Sequence, residues 1–426
     1  MTDLAVIDEA PPVAPAADEP LRFPVSSSQQ RCWFIDQMNP GNPALNVALR
    51  WEIKGVFTPE LVERAFQGLI ERHEILRTRF VEIDGEPVQE VADSAPFRLT
   101  VTDLTDRPAA ERMDAALALG SREAHVPFDL AKAPLVRAHL VRLAEDHAVL
   151  LVTVHQICFD GWSIRIIARE FGALFAALAG GRAPDLPELP LQYGDYARWQ
   201  EAWFASGGFD EETGYWRRQL AGAPYFEVPP DRLRPPVPTY NGIILAEILP
   251  PELSEGMEAA AKRHNVTLFS LGCAITAAVL HGVTAAPEIV VGTQIAGRDE
   301  PDLEGLIGVF INNLVIRLDA QGDPAFADFL ARTSSTVQEA LIHQRMPFHR
   351  LVTILNPPRD ASRTPLISVN FTVLHEVMDD ARYGPIELTG KPSLSAGSLY
   401  DLNFFLVWWP TGWRMALEYN PDLFER

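Results

Sequence analysis

A run of apolar, β-branched residues at 147–154 predicts a buried strand, and the residues after 163 have the apolar spacing of a helix. Ser163 is expected to cap the start of that helix, and Gly180 and Gly181 are expected to end it. Residues 155–161 therefore lie where a strand end and a helix N-terminus deliver polar groups to one place. Such a place suits acyl-transfer chemistry.

Similar patterns predict elements along the rest of the chain. Apolar pairs at 61–62, 65–66 and 69–70 recur at helical spacing, and residues 410–412 separate two apolar runs that predict a hairpin. The other predicted elements are helices at about 109–124, 193–220, 251–264 and 268–281, and strands at 243–249 and 288–294. Both halves of the chain therefore mix strands with amphipathic helices.

The length of the chain indicates more than one core. A chain of 426 residues suits two domains of about 200 residues each. We expect a first lobe over 21–180, a Pro- and Trp-rich crossover segment over 181–240 and a second lobe over 241–426. Residues 1–20 hold five acidic residues, four prolines and no Lys or Arg, which predicts a disordered acidic tail. That tail is either inert or a docking segment for another protein.

Charge and composition argue against several classes of function. Lys plus Arg number 36 against 57 Asp plus Glu, and the net charge of −21 argues against nucleic-acid binding, which needs a basic face. No apolar run is long enough to predict a membrane span, and no secretory signal is visible. Cys32, Cys158 and Cys273 are far apart and predict reduced thiols in a cytoplasmic protein. The ten histidines lack metal-ligand spacing, so no metal site is expected.

Seven segments, in chain order, resemble the motifs of one known family. They lie at 26–37, 72–80, 155–161, 193–200, 307–317, 343–348 and 359–366. The third reads His155-Gln156-x-x-x-Asp160-Gly161. With these segments the chain resembles the condensation domains of nonribosomal peptide synthetases, whose third motif has a second histidine where this chain has Gln156. The sixth also departs from the family, because Arg345 stands where an aspartate is usual.

The resemblance implies a fold and an activity. The fold is a mixed α/β (α+β) one, in which two lobes like chloramphenicol acetyltransferase form a V-shaped pseudo-dimer with a tunnel along the seam. The implied reaction joins an acyl or peptidyl thioester on one carrier protein to an amine, or to an alcohol, on another. The substrates would arrive on the phosphopantetheine arms of donor and acceptor carrier domains, and no bound cofactor is expected.

Four residues of the third motif form the implied catalytic set. His155 matches an orienting histidine, and Gln156 stands at the position of the proposed base or amine-positioning group. Asp160 matches an aspartate that holds the loop through an ion pair, and Gly161 lets the backbone approach the substrate. An amide cannot accept a proton at neutral pH, so loss of a true base would cost roughly 10²–10⁴-fold in rate. If residue 156 mainly positions the amine, glutamine retains much of the function. The sequence leaves both alternatives open.

Four further residues are predicted to line the substrate channel. Cys158 is two residues from Gln156 on an expected extended strand and should point to the same side, unless it is a small buried hydrophobe. Trp162 directly follows the third motif. Asn312 and Asn313 follow an apolar run expected to be a strand along the seam, where simple strand pairing is the alternative.

Three arginines are candidates for a structural role. Asp160 should be partly buried and needs a cation, and Arg77, Arg298 and Arg317 all lie in or beside segments that resemble family motifs. An ordinary surface position is the alternative for any one of them. Residues 297–299 are expected in a segment that bridges the two lobes.

Two functions from different classes are compatible with these residues. The first is a condensation-type acyltransferase. The second is a condensation-fold binding module that has lost its base and recruits a tailoring enzyme or a carrier protein, as specialised relatives do. The intact motifs around Gln156 favour the enzyme, whereas Gln156 and Arg345 favour the binding module.

Overall fold

The computed structural model describes residues 20–358, 360–374, 381–391, 397–409 and 412–426. The described residues form ten α-helices and fifteen strands around two large hydrophobic cores. Of the predicted tail at 1–20 only Pro20 is described, and Arg359 of the seventh motif also lies outside the described residues. Within them, no single helix has the length and hydrophobicity to cross a membrane, although the bent pair Pro251–Arg263 and Leu268–Thr284 together meets those criteria.

The first lobe packs helices against a large sheet. Its helices are α1 (Ser27–Met38), α2 (Pro59–Arg72), α3 (Ala109–Ala124) and α4 (Ser163–Ala179). Its first seven strands are β1 (Leu21–Pro24), β2 (Asn46–Gly55), β3 (Thr78–Ile83), β4 (Glu86–Val91), β5 (Thr100–Asp103), β6 (Val136–Ala144) and β7 (His147–His155). In the large sheet the order is β2-β7-β6-β5, while β1-β4-β3 form a separate small sheet. The predicted helix at 109–124 and the predicted strand that leads into residue 155 are confirmed.

The apolar pairs in α2 show how sequence and packing agree. Thr58 caps this helix by accepting a hydrogen bond from the backbone N–H of Leu61, and Pro59 occupies the first helical position, where its missing N–H costs nothing. The helix then buries five apolar side chains in the first core. They are Val62, Ala65, Phe66, Leu69 and Ile70.

The crossover segment contains two helices where the sequence predicted one. They are α5 (Tyr193–Ala205) and α6 (Asp210–Gln219). The predicted continuous helix at 193–220 is wrong because Gly207 adopts a φ of +81°, a left-handed conformation that ends a helix.

The second lobe has its own six-stranded sheet. Its helices are α7 (Pro251–Arg263), α8 (Leu268–Thr284), α9 (Phe326–Ile342) and α10 (Phe348–Leu355). Its strands are β8 (Ile243–Ile248), β9 (Glu288–Ile295), β10 (Asn312–Asp319), β11 (Val369–Leu374), β14 (Leu402–Trp409) and β15 (Gly412–Tyr419), in the order β10-β9-β11-β14-β15-β8. The antiparallel pairing of β14 with β15 confirms the predicted hairpin.

Two segments of the predicted second lobe belong to the first. Strands β12 (Ala381–Tyr383) and β13 (Ile386–Lys391) extend the first lobe's sheet, because β13 pairs with β2. Apolar side chains between Leu303 and Phe310 also lie in the first core. The predicted boundary of 241–426 is therefore corrected. The alternation of buried residues in β13 marks a half-buried strand but does not specify which sheet it joins.

A buried ion pair between Asp160 of the third motif and Arg298 joins the two lobes. Arg298 Nη2 lies 3.1 Å from Asp160 Oδ1, and both side chains are 0% exposed. The second Asp160 oxygen, Oδ2, accepts the backbone N–H of Phe310 at 3.0 Å. Arg298 Nη1 also donates to the carbonyls of Leu303 and Leu306, whereas Nε has no hydrogen-bond partner among the described residues. The prediction that Asp160 pairs with an arginine is confirmed, with Arg298 as the partner.

The same carboxylate starts α4. Asp160 Oδ1 accepts the backbone N–H of Ser163 at 2.9 Å, and the Ser163 hydroxyl lies 2.8 Å from the same oxygen. Ser163 is the first helical residue and not the predicted cap, because the preceding Trp162 already has helical dihedral angles. The negative charge stands at the helix N-terminus, where the helix dipole favours it.

A tyrosine from the crossover packs against the same junction. The Tyr193 hydroxyl donates to the Val309 carbonyl at 2.6 Å and lies 2.7 Å from Ser26 Oγ. Gly308 is required here, because a β-carbon at this position would lie 2.0 Å from Tyr193 Cδ2. Helix α5 therefore contacts residues 297–311, the bridging segment, through Tyr193.

Removing one member of the buried ion pair should destabilise the fold. In Arg298→Ala the Asp160 carboxylate remains buried without its counter-ion, and we expect the free energy of unfolding to fall by about 3–5 kcal/mol. Asp160→Ala should act in the same direction. Urea or thermal unfolding measures both effects.

Arg98→Ala is the matched control for that experiment. Arg98 pairs with Glu63 at 3.2 Å, but its side chain is 87% exposed, so its removal should cost less than about 1 kcal/mol. If Arg298→Ala were as stable as Arg98→Ala, the junction would not depend on this ion pair.

Candidate active site

A cleft between the lobes contains the residue that departs from the third motif. The cleft is narrow, with an enclosed volume of about 10 Å³ that holds little more than one water molecule, and it opens to solvent. Helix α1, the turn after β7, the bridging segment and the start of α10 supply its walls. The lining residues are Ser27, Ser28, Arg31, Cys32, Gln156, Val309, Ile311, Asn312, Pro347, Phe348 and His349. The position of Gln156 at the seam is therefore as predicted, whereas a through-going tunnel stays a prediction.

Gln156 is presented by a short turn. Residues Gln156–Cys158 form one turn of 3-10 helix directly after β7. The Gln156 side chain is half-buried, lines the cleft and makes no hydrogen bond with another described residue. Its amide can therefore offer both a carbonyl acceptor and N–H donors to a molecule in the cleft.

His155 fixes this turn from behind. Its ring is buried, and Nδ1 accepts the backbone N–H of Ile157 at 3.1 Å. Burial lowers the pKa of His155 to about 3, and the nearby positive charge of Arg137 contributes. The ring is therefore neutral at physiological pH and absent from the cleft wall. This geometry suits the orienting role that the sequence implied, which remains a prediction.

Cys158 does not line the cleft, and this channel assignment is corrected. The expectation rested on an extended strand, but the chain turns at Gln156, so residues two apart no longer point to one side. The Cys158 thiol is fully buried and donates to the His155 carbonyl at 3.2 Å. Burial raises the pKa of this thiol well above its usual range. The alternative, a small buried hydrophobe, is the better description.

Gly161 and Trp162 directly follow Asp160 in the chain, at the start of α4. No atom would contact a β-carbon at Gly161 within 4 Å, so space above its backbone is open. The indole N–H of Trp162 donates to the Glu304 carbonyl at 3.1 Å. Trp162 thus ties the start of α4 to the bridging segment and does not line this cleft. The roles predicted for Gly161 at the substrate and for Trp162 in a channel remain untested.

The two asparagines start a strand instead of following one. The apolar run before them is an irregular segment in the first core, and β10 begins at Asn312. Asn312 lines the cleft, but its amide is occupied: Nδ2 donates to the carbonyls of Gln344 and Met346, and Oδ1 accepts the N–H of Phe348. It therefore fixes the start of α10.

Asn313 lies beside the cleft and not in its wall. It is buried and opposite Gln294 in the pairing of β10 with β9. Its Oδ1 has no hydrogen-bond partner among the described residues. The position of Asn313 therefore agrees with the alternative, in which it pairs within the sheet and does not line the channel.

The remaining two arginines are structural but do not contact Asp160. Arg77 donates to the backbone carbonyls of Glu71 and Ala92 and so closes the end of α2. Arg317 pairs with Glu288 at 2.7 Å and donates to the carbonyl of Ala221. Burial lowers the pKa of Arg298, while the Asp160 carboxylate opposes that shift.

Sequence reasoning missed two ionisable residues of the cleft. Arg31 lies in the first motif segment, and His349 directly follows the sixth, but neither was singled out. The available signal was the position of Arg31 inside one matched segment and of His349 directly after another. Among the described residues, no group of three His, Cys, Asp or Glu side chains could hold a metal ion.

Comparisons with known proteins identify the family. A family model described as "Condensation domain" matches residues 22–426. A linear gramicidin synthase protein of Brevibacillus parabrevis is 38% identical over 410 residues, which cover 95% of this chain and 8% of that protein. Phosphinothricin tripeptide synthetase PhsC of Streptomyces viridochromogenes is 38% identical over 425 residues, which cover 98% of this chain and 38% of that protein. The chain thus spans less than two fifths of the length of either relative.

A solved structure confirms the predicted fold class. The X-domain in its complex with OxyB from teicoplanin biosynthesis has a TM-score of 0.85 and 29% identity, and the match covers 98% of this chain and 92% of that one. The two six-stranded sheets agree with the predicted mixed α/β (α+β) fold of two lobes like chloramphenicol acetyltransferase. By family match, relatives and fold, the chain belongs to the condensation domains of nonribosomal peptide synthetases.

Proposed function

We propose that this domain is an active acyltransferase, which forms an amide, or an ester with an alcohol, from a carrier-bound acyl or peptidyl thioester. The observation that carries the proposal is the position of Gln156. Its unpaired amide lines an open cleft between the lobes, on a turn anchored by the Asp160–Arg298 ion pair.

Gln156 is assigned the alignment of the acceptor amine. A neutral amine attacks the thioester carbonyl through its lone pair, while an N–H of the amine donates to the Gln156 carbonyl oxygen. Holding two reactants in one geometry is a large part of catalysis for such a reaction. Glutamine supplies this hydrogen bond without titrating, so it suits a substrate that reacts in its neutral form.

The proposed partners are a donor and an acceptor carrier domain. Both relatives named above are synthetase proteins much longer than this chain, which is consistent with a domain that works beside others. We assign the substrates to the phosphopantetheine arms of these carriers, with no cofactor bound to the domain itself. The three thiols are all buried and free, which suits a reducing cytoplasm.

A second function is favoured by one specific likeness. The X-domain that resembles this chain was solved in complex with OxyB, and Gln156 cannot act as a base. The alternative is therefore a module that recruits a tailoring enzyme or a carrier protein and catalyses no condensation. The two proposals make opposite predictions for Gln156.

If the domain is an enzyme, the unmodified protein should condense loaded carrier proteins. Gln156→Ala should then slow product formation about 10-fold to 100-fold, because the amine loses its alignment. Gln156→His should retain or raise the rate. Single-turnover product formation, followed by mass spectrometry of the carrier arms, measures all three proteins.

Gln321→Ala is the matched control, because Gln321 is exposed and is not among the residues that line the cleft. It should react at the parent rate. If Gln156→Ala reacted at the parent rate, the alignment role of Gln156 would be contradicted. If the parent formed no product with any loaded pair of carriers, the proposed acyltransferase activity would be contradicted.

If the domain is a recruitment module, its binding should be independent of Gln156. A tailoring enzyme or carrier protein encoded beside this chain should then bind the parent and Gln156→Ala with equal Kd, measured by calorimetry. Product formation by the parent that disappears in Gln156→Ala would exclude a function limited to binding.

A further inference from the structure

His349 stands in the wall of the cleft that holds Gln156, but on the other lobe. It is the second residue of α10, and the start of that helix is held in place. Asn312 accepts the backbone N–H of Phe348 at 3.0 Å and donates to the carbonyl of Met346 at 2.7 Å. These hydrogen bonds fix the start of α10, which carries His349, relative to β10, which begins at Asn312.

The His349 ring is available for chemistry. It is half-buried, and it makes no side-chain hydrogen bond with another described residue. Burial lowers the pKa of His349 to about 4, with a smaller contribution from the charge of Arg350, so the ring is neutral at physiological pH. The Arg350 guanidinium itself packs over the Phe204 ring at 4.2 Å.

The other ionisable groups of the cleft cannot accept a proton at neutral pH. Arg31 is a cation without a lone pair to offer. Burial raises the pKa of the Cys32 thiol to about 11, so that group stays protonated. Gln156 supplies only an amide. Among the described lining residues, His349 is thus the one side chain with a basic nitrogen lone pair.

We propose that His349 accepts the proton that the acceptor amine loses, a task that Gln156 cannot perform. The bond between the amine nitrogen and the thioester carbonyl carbon forms, and the proton on that nitrogen passes to the imidazole. The carbon–sulfur bond then breaks, and the imidazolium gives the proton to the leaving thiolate. The products are an amide and a free thiol, and the imidazole is regenerated.

His349 holds the proton only transiently in this step. Because burial lowers the pKa of the imidazole, it accepts the proton only once attack has made the amine nitrogen positively charged and acidic, and it then gives that proton to the leaving thiolate. Alignment and proton transfer would then be divided between Gln156 on the first lobe and His349 on the second. This inference rests on the proposed acyltransferase function.

Substitution of His349 tests the proton transfer. In His349→Ala and His349→Gln, kcat should fall about 100-fold to 1000-fold with little change in KM, because neither side chain can take a proton. His264→Ala, which removes an exposed imidazole outside the cleft, is the control and should react at the parent rate. Melting temperatures of all variants show whether they are folded.

A double variant separates a chemical role from a structural one. In a Gln156→His background, a base is again present in the cleft, so the loss caused by His349→Ala should shrink to less than about 10-fold. A packing defect at α10 would not be relieved by a change on the other lobe. An equal loss in both backgrounds would overturn the inference.

The remaining outcomes distinguish the inference from the function on which it rests. A parent that condenses substrates while His349→Gln reacts equally fast would overturn the role of His349 and leave the acyltransferase intact. A parent that forms no product would overturn both.

Discussion

The arrangement of the site depends on the buried ion pair between Asp160 and Arg298. The two residues are 138 positions apart, and neither side chain has any contact with solvent. A buried charge is tolerated only when its partner and its hydrogen bonds are in place, so this pair is satisfied in one relative placement of the two lobes. Asp160 follows the turn that carries Gln156, and Arg298 lies in the bridging segment that carries Val309 and Ile311. The two walls of the cleft are therefore held together at their base.

Desolvation gives the cleft its chemical character. Burial keeps the imidazole of His349 neutral, with a pKa of about 4, and keeps the Cys32 thiol protonated by raising its pKa to about 11. Behind the cleft wall, burial also keeps the His155 ring neutral by lowering its pKa to about 3. The neutral forms are favoured because moving a charged group out of water costs more free energy than the interactions at these sites recover. Under the proposed function, such a cleft suits an uncharged nucleophile, which a glutamine can align without titrating.

The lobes are also connected by exchanged segments. Strand β13 completes the sheet of the first lobe, and the bridging segment buries Leu306, Ile307 and Phe310 in the first core. Tyr193 packs on the same segment from the crossover helix. Because the hydrophobic gain of each segment is realised in the opposite lobe, separation of the lobes would expose apolar surface as well as break the ion pair. The cleft is accordingly a property of both lobes together.

The sequence by itself determined most of the elements and the identity of the motif. Apolar spacing placed the helix at 109–124, the strand before His155 and the terminal hairpin, because local periodicity follows directly from which face is buried. The matched segments located Gln156 and Asp160 and indicated a cation for the carboxylate. Predictions from the sequence were wrong where the backbone departed from a regular helix or strand. Gly207 broke a helix, and the turn at Gln156 rotated Cys158 into the core.

Only the tertiary structure decided the partners. In the folded protein, Arg298 is the one of the three candidate arginines that pairs with Asp160, and β13 joins the sheet of the first lobe. Asn312 fixes the start of α10, and His349 lies in the wall of the cleft that Gln156 lines. Each of these is a long-range contact between residues far apart in the chain. Periodicity reports that a side chain is buried, but the charge, register and hydrogen bonds that choose its neighbour are satisfied only when both lobes are folded together.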